Sequence, residues 1–305
     1  MDYIFILAGL LGLFLGGEAL VRVSVGIAQR LCVPPFLIGL TVVGFGTSTP
    51  ELLVSVEAAW RGAPDIAIGN IVGSNIANIL LIIGLTSLIW PILVSGSTLR
   101  RDCLVMIAAA LALIPVFAMG EIGRLPGAAL FAGLIGYLVW AYRHPGDSAE
   151  DETIAPPTST VVSILWVVGG LVALMLGARS LVSGATSIAR DMGISEAFIG
   201  LTIVAVGTSL PELATSLIAA FRRQSEIAIG NVIGSNIFNV LGILGVTAMI
   251  SPIPVAPRFL TFDLPVMIGL SVGLTALLLW RPVVGRPVGL GMVLAYAAYV
   301  WAAQG

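Results

Sequence analysis

Long apolar stretches follow one another along the whole chain, each roughly 20 residues long and separated from the next by a short polar break. That length and pattern predict transmembrane α-helices. Ten are expected, at about 2–30, 36–60, 66–90, 100–119, 125–142, 161–187, 198–221, 227–250, 259–280 and 288–303. Only residues 144–159, HPGDSAEDETIAPPTS, are clearly hydrophilic. Their proline, serine and acidic residues carry no apolar period and read as a linker. The expected organisation is an all-α polytopic membrane protein: a first five-helix repeat at 1–143, a linker at 144–159 and a second five-helix repeat at 160–305.

Inside the apolar runs one stretch occurs twice. Residues 39–84 begin GLTVVGFGTSTPELL and residues 200–245 begin GLTIVAVGTSLPELA; they align without a gap, with roughly six positions in ten identical. Five spans per half is an odd number, so the second copy enters the membrane from the opposite side. This predicts a two-fold axis in the membrane plane, the inverted-repeat plan of secondary transporters. With the N-terminus outside, Arg30, Arg100, Arg101, Arg143, Arg222, Arg223, Arg281 and Arg286 fall at inner ends, and only Arg61, Arg124, Arg190 and Arg258 at outer ends. That excess favours an external N-terminus and a cytoplasmic linker.

Composition excludes the other classes. The chain is 58% hydrophobic and 10% charged with a mean hydropathy of +1.08. A soluble domain carries about 25% charged residues, so this chain cannot cover a water-facing surface. All 14 basic residues are arginine and the net charge is -2, which argues against a nucleic-acid partner. Cys32 and Cys103 fit no disulfide or metal spacing and read as small buried apolar groups. Asp2 stands where a signal peptide would be basic, and no small-residue cleavage site follows, so the first apolar run is read as a span.

The repeated polar groups carry the candidate chemistry. They are Thr47, Ser48, Glu51, Asn70, Ser74, Asn75 and Asn78, matched by Thr208, Ser209, Glu212, Asn231, Ser235, Asn236 and Asn239. An ionisable group in hydrocarbon costs at least ~2.5–3.5 kcal/mol and marks a functional site by default. Pro50 and Pro211 lack an N–H, and Gly44, Gly46 and Gly207 ease unwinding, so spans two and seven should break just before Glu51 and Glu212. Thr47, Ser48 and Glu51 share a helix face, as do Ser74 with Asn78 and Ser235 with Asn239. Gly73 and Gly234 leave room for another backbone. Two carboxylates among neutral oxygens form a hard-cation site, of the kind calcium or sodium takes. No Cys or His lies in the blocks, which argues against zinc or copper.

Plainer readings stand beside these. Asn70, Asn75, Asn231 and Asn236 could equally serve as packing or capping groups. Glu18 and Arg179 occupy equivalent places with opposite charge and read as a structural pair or as interfacial residues. The acidic linker lacks a calcium-loop pattern and reads as a solvated connector. His144, beside Pro145 at a helix end, reads as incidental.

GTSTPE with GSNIAN, and GTSLPE with GSNIFN, resemble the two alpha-repeats of the calcium/cation antiporter superfamily, and are most similar to the prokaryotic sodium/calcium exchangers. The resemblance covers essentially the whole chain. It implies that Glu51 and Glu212 are the shared calcium ligands, and that Thr47, Ser48, Thr208 and Ser209 add oxygens together with the carbonyls of Gly44 and Ala205. Ser74, Asn78, Ser235 and Asn239 match the remaining ligand positions. Some exchangers carry Asp where Asn239 stands, and potassium-dependent relatives also use an Asp in this motif. With Asn in both copies, potassium dependence is disfavoured and two carboxylates remain to balance the ions.

The expected function is secondary active antiport of sodium against calcium by alternating access, in the cell (inner) membrane. Calcium, sodium and lipid are the expected partners; no cofactor and no obligate protein partner are expected. A calcium/proton antiporter using the same glutamates is the alternative, and a passive cation channel a more remote one. A membrane-embedded enzyme is the weakest, since no nucleophile–base pair is visible.

Overall fold

The computed structural model describes residues 2–31, 33–93, 97–144, 159–193, 205–281 and 283–303. Its elements are almost all helical: α1 (Asp2–Leu31), α2 (Pro35–Thr47), α3 (Thr49–Trp60), α4 (Pro64–Ile89), α5 (Ser97–Ala118), α6 (Arg124–Arg143), α7 (Thr160–Asp191), α8 (Leu210–Phe221), α9 (Ser225–Ile250), α10 (Phe259–Trp280) and α11 (Arg286–Ala302). Among the described residues seven helices are long and apolar enough to cross a membrane, or eight if α2 and α3 form one bent span. α8 has 12 residues and α11 has 17. Most of the linker, the start of the expected seventh span and Cys32 lie outside the described residues.

Burial sorts the helices into a centre and a rim. α4 and α9 have 72% and 78% of their apolar windows buried, against 28% each for α6 and α7. The two central helices are thus enclosed by protein while the outer ones expose large apolar side chains such as Phe5, Leu11 and Trp166, a surface suited to lipid. Aromatic residues cluster at helix ends, where Trp60, Trp280 and Trp301 are exposed as in an interfacial belt. Cys103 is a free, buried thiol in the apolar core.

Glycine seams let helices approach closely, among them α1 with α7 and α2 with α9. α1 and α7 run antiparallel: a Cβ at Gly9 would meet the Leu181 nitrogen at 2.6 Å, and one at Gly16 the Gly170 carbonyl at 2.6 Å. α9 presses on α2, where a Cβ at Gly234 would sit 2.1 Å from the Leu40 carbonyl. At Gly73, the matching position in α4, no described atom lies within 4 Å.

Four two-residue strands cross-link the ends of the bundle. β1 (Ile92–Leu93) pairs antiparallel with β4 (Val283–Val284), and β2 (Glu121–Ile122) with β3 (Ile253–Pro254). Each ladder joins a segment preceding the linker to one following it.

Overpacking the α2–α9 seam should be costly. Gly234→Ala drives a methyl group into rigid backbone and should lose about 1–3 kcal/mol or more of stability. Gly136→Ala, on an exposed helix face with nothing within 4 Å, should be neutral or slightly stabilising. Thermal unfolding of both variants in detergent checks this; equal melting temperatures would refute the close contact.

Candidate functional site

The sequence breaks helices where proline forbids the next hydrogen bond, and the structure bends there. α2 and α3 meet at 42°, hinged on Ser48 with φ -82° and ψ 8°. Ser209 has the same conformation, φ -88° and ψ 6°, between the turn Ala205–Gly207 and α8. Pro50 and Pro211 occupy the first turn of the following helix, where a missing N–H is harmless. Glu51 and Glu212 lie in that same turn, so each carboxylate sits against the positive end of its own helix. The segments before each break end at the same place with their carbonyl ends, which favour cations.

The two breaks are interlocked. Ser48 Oγ donates to Glu212 Oε1 at 2.9 Å, and Ser209 Oγ donates to Glu51 Oε1 at 3.3 Å. Each acid is therefore bonded by the hydroxyl of the other copy. Asn70 Nδ2 donates to the Glu51 carbonyl at 3.1 Å and to Ser55 Oγ at 2.9 Å; Asn231 Nδ2 does the same to the Glu212 carbonyl and Ser216 Oγ, at 3.1 and 2.9 Å. These amides pin the loosened first turns of α3 and α8 to the central helices. Thr47 Oγ1 donates to Asn231 Oδ1 at 3.1 Å, and a hydrogen bond joins Thr208 to the Glu51 carboxyl.

The other expected oxygen groups lie on the broken helices and on the central helices α4 and α9. Ser235 Oγ donates to the Gly44 carbonyl at 3.1 Å, leaving its own lone pairs open. The Gly44 carbonyl is not loose, as the break alone suggested: it also accepts from the Ser48 N–H at 3.2 Å. Ser74 is buried at the place matching Ser235 in α4. Ala205 opens the turn before the second break. Asn78 and Asn239 lie in wide π-type turns, Asn78–Ile82 and Phe238–Ile243, that interrupt α4 and α9. Such turns recur at functional sites because they rotate side chains out of the ordinary helical register.

Among the described residues four buried acceptors on these helices receive no hydrogen bond: Glu51 Oε2, Glu212 Oε2, Asn78 Oδ1 and Asn239 Oδ1. Both glutamates are 1% exposed. A buried oxygen without a donor costs about 1–3 kcal/mol, more when charged. A cation removes that cost, because it needs only acceptors. Among the described residues four carboxylates are buried, and two of them are neutralised by arginine. Asp102 is paired with Arg101 at 2.7 Å, and Asp263 with Arg258 at 3.2 Å and with the Tyr299 hydroxyl at 2.9 Å. Among the described residues no ion pair is formed by Glu51 or Glu212, whose side-chain partners are hydroxyls, and no group of three or more His, Cys, Asp or Glu occurs.

Asn70 and Asn231 prove to be braces, and Asn75 and Asn236 bond to each other's backbone across α4 and α9. Glu18 is held by Arg22 and by Arg222 at the end of α8, so its ion pair is not with Arg179. His144 caps α6, and its carbonyl accepts from Arg101.

Comparison with known proteins gives the family. The profile of the family described as sodium/calcium exchanger protein matches residues 1–143 and 162–304. CaxA of Alkalimonas amylolytica is 42% identical over 257 residues, 82% of this chain and 81% of that protein. The sodium/calcium exchanger MaX1 of Methanosarcina acetivorans is 32% identical over 345 residues, covering 98% of this chain and 97% of its own length. The structure of the sodium-calcium exchanger NCX_Mj soaked with zero Na+ and Ca2+ superimposes with a TM-score of 0.86 at 34% identity, over 99% of this chain and 98% of that one. A chain matched along both halves, by sequence and by structure, belongs to the sodium/calcium exchanger family, as a prokaryotic-type member of the calcium/cation antiporter superfamily.

Proposed function

We propose that this protein exchanges sodium for calcium across the cell membrane by alternating access, with Glu51 and Glu212 as the shared ion ligands. The observation that carries the reading is the pair of buried carboxylates with no basic partner among the described residues, each hydrogen-bonded by the serine of the other copy. Two negative charges match one calcium ion, or sodium ions taken in its place. Thr47, Ser48, Thr208, Ser209, Ser74, Ser235, Asn78 and Asn239 supply neutral oxygens, with the carbonyls of Gly44 and Ala205. Calcium takes 6–8 such oxygens.

Coupling follows from electrostatics. Two facing carboxylates in a low-dielectric interior repel, so a site holding no cation is costly to carry through the membrane. Loaded states switch and empty ones do not, which ties the movement of one ion to the return of the other. No covalent step is needed, and we read the protein as a transporter rather than an enzyme.

The same proposal includes ten spans in two inverted five-helix repeats. The antiparallel packing of α1 and α7, and the reciprocal bonds between the two breaks, support it. The arginine distribution supports an external N-terminus and a cytoplasmic linker. Protons in place of sodium remain the second reading, favoured by carboxyl groups that no arginine holds ionised.

Glu51→Gln and Glu212→Gln should each reduce sodium-driven calcium uptake into proteoliposomes on the order of 100-fold or more, the scale of leaving a buried charge unmatched. In sodium- and calcium-free buffer both variants should melt at or above the wild-type temperature, because an unpaired carboxylate is gone. Robust uptake by either variant would overturn the assignment. An outward sodium gradient at equal pH should drive uptake, and a pH gradient without sodium should not; the reverse result selects the proton reading. A cysteine placed at Ser148 in a protein lacking Cys32 and Cys103 should react with an impermeant maleimide only from the cytoplasmic side.

A further inference from the structure

Asn75 and Asn236 face each other where α4 and α9 cross, 3% and 1% exposed. Asn75 Nδ2 donates to the Asn236 carbonyl at 3.2 Å, and Asn236 Nδ2 donates to the Asn75 carbonyl at 3.4 Å. The second proton of each amide is directed at a sulphur from a flanking helix, Met267 Sδ at 3.5 Å and Met106 Sδ at 3.6 Å. A backbone carbonyl can only accept, so these contacts fix which end of each amide is nitrogen. The oxygens must then point the other way. Asn75 Oδ1 accepts from Asn239 Nδ2 at 2.9 Å, and Asn236 Oδ1 accepts from Asn78 Nδ2 at 3.0 Å.

The consequence passes one residue further. Once its Nδ2 is committed to Asn75, Asn239 can present only Oδ1 elsewhere, and Asn78 is constrained in the same way by Asn236. Those two oxygens, Asn78 Oδ1 and Asn239 Oδ1, are among the buried acceptors that receive no donor. A free amide can turn over and offer an N–H, which repels a cation. Here the turn is blocked by a relay that starts at a main-chain carbonyl.

We propose that Asn75 and Asn236 are positioning residues for cation binding: each locks the amide of a ligand asparagine, oxygen toward the ion, with Asn75 acting through Asn239 and Asn236 through Asn78. The assignment rests on the exchange reading above and deepens it. The pairing is crossed, since Asn75 on α4 acts on a ligand of α9, and Asn236 on α9 acts on a ligand of α4. Each locking residue stands three positions before the ligand on its own helix, yet it orients the ligand on the other one. Removing an outer-shell partner of this kind typically weakens metal binding 10–100-fold.

A carboxylate needs no such lock, because its two oxygens are equivalent. The test is therefore calcium binding, measured by equilibrium dialysis with radiolabelled calcium on the purified full-length protein, for single and double variants. Asn75→Ala should raise the calcium Kd about tenfold or more in the wild-type background. In an Asn239→Asp background the same change should leave Kd unchanged or lower it, since the facing Asn75 oxygen is removed. Asn78→Asp should give no such relief. Asn236→Ala should show the converse pattern, relieved by Asn78→Asp and not by Asn239→Asp, and it carries the test should Asn75→Ala fail to fold. An equal fold-increase in every background would make both residues packing groups and overturn the assignment. Absence of calcium binding by the wild-type protein would overturn the exchange reading and this assignment with it, whereas wild-type binding with background-independent effects would sink the positioning role alone.

Discussion

The arrangement depends on two carboxylates buried without a counter-charge. Everything adjacent to Glu51 and Glu212 tolerates that state without relieving it. Serine hydroxyls reach one oxygen of each, helix N-termini lie beneath them, and the second oxygen of each is left without a donor. An arginine placed here would stabilise the fold and fill the site permanently. The chain supplies that arrangement elsewhere: Asp102 and Asp263, near the N-terminal ends of α5 and α10, are neutralised by Arg101 and Arg258 and serve as fasteners. Acids of equal burial are thus treated in two ways, and under the exchange reading the difference separates a structural charge from one kept available for a mobile ion.

Neither copy of the repeat builds this site alone. Ser48 serves Glu212, Ser209 serves Glu51, Ser235 reaches the Gly44 carbonyl, and the asparagine relay crosses twice between α4 and α9. A half separated from its partner would lose a donor at every one of these contacts. The short β-ladders repeat the theme at the periphery, each pairing a strand from one side of the linker with one from the other. Interlocking of this kind explains why the polar blocks are identical at GTS, PE and GSN while the apolar residues around them drift: a change on one side must fit an acceptor on the other.

Much of this was legible in the residues. Proline after a glycine-containing turn forecast both breaks, and the doubled acid pointed to the centre. Helix bounds agree closely wherever the apolar run has clear polar ends, as for α10. What escaped was anything depending on which neighbour a side chain meets. Asn70 and Asn75 look alike in a string of letters; one braces a broken turn and the other fixes an amide across a helix crossing. The π-type turns that carry Asn78 and Asn239 were not read from the residues either. Asp102 and Asp263 drew no notice, and Glu18 finds Arg222, more than 200 residues away in sequence, rather than its opposite number in the repeat.

That last pairing bears on how a symmetric centre can work directionally. The residues around the acids match between copies, so the centre by itself has no reason to favour one opening over the other. The charges on α1 and α7 do not match: Glu18 binds Arg22 and Arg222, whereas Arg179 holds the equivalent place and Arg61, the counterpart of Arg222, pairs with Glu57 on its own helix. Under the exchange reading, an ion pair made by one copy and without a counterpart in the other gives the two openings different energies. Under the exchange reading, ion selection is therefore a property of the conserved core of the repeat, and the bias between inward and outward states is a property of the places where the copies have diverged.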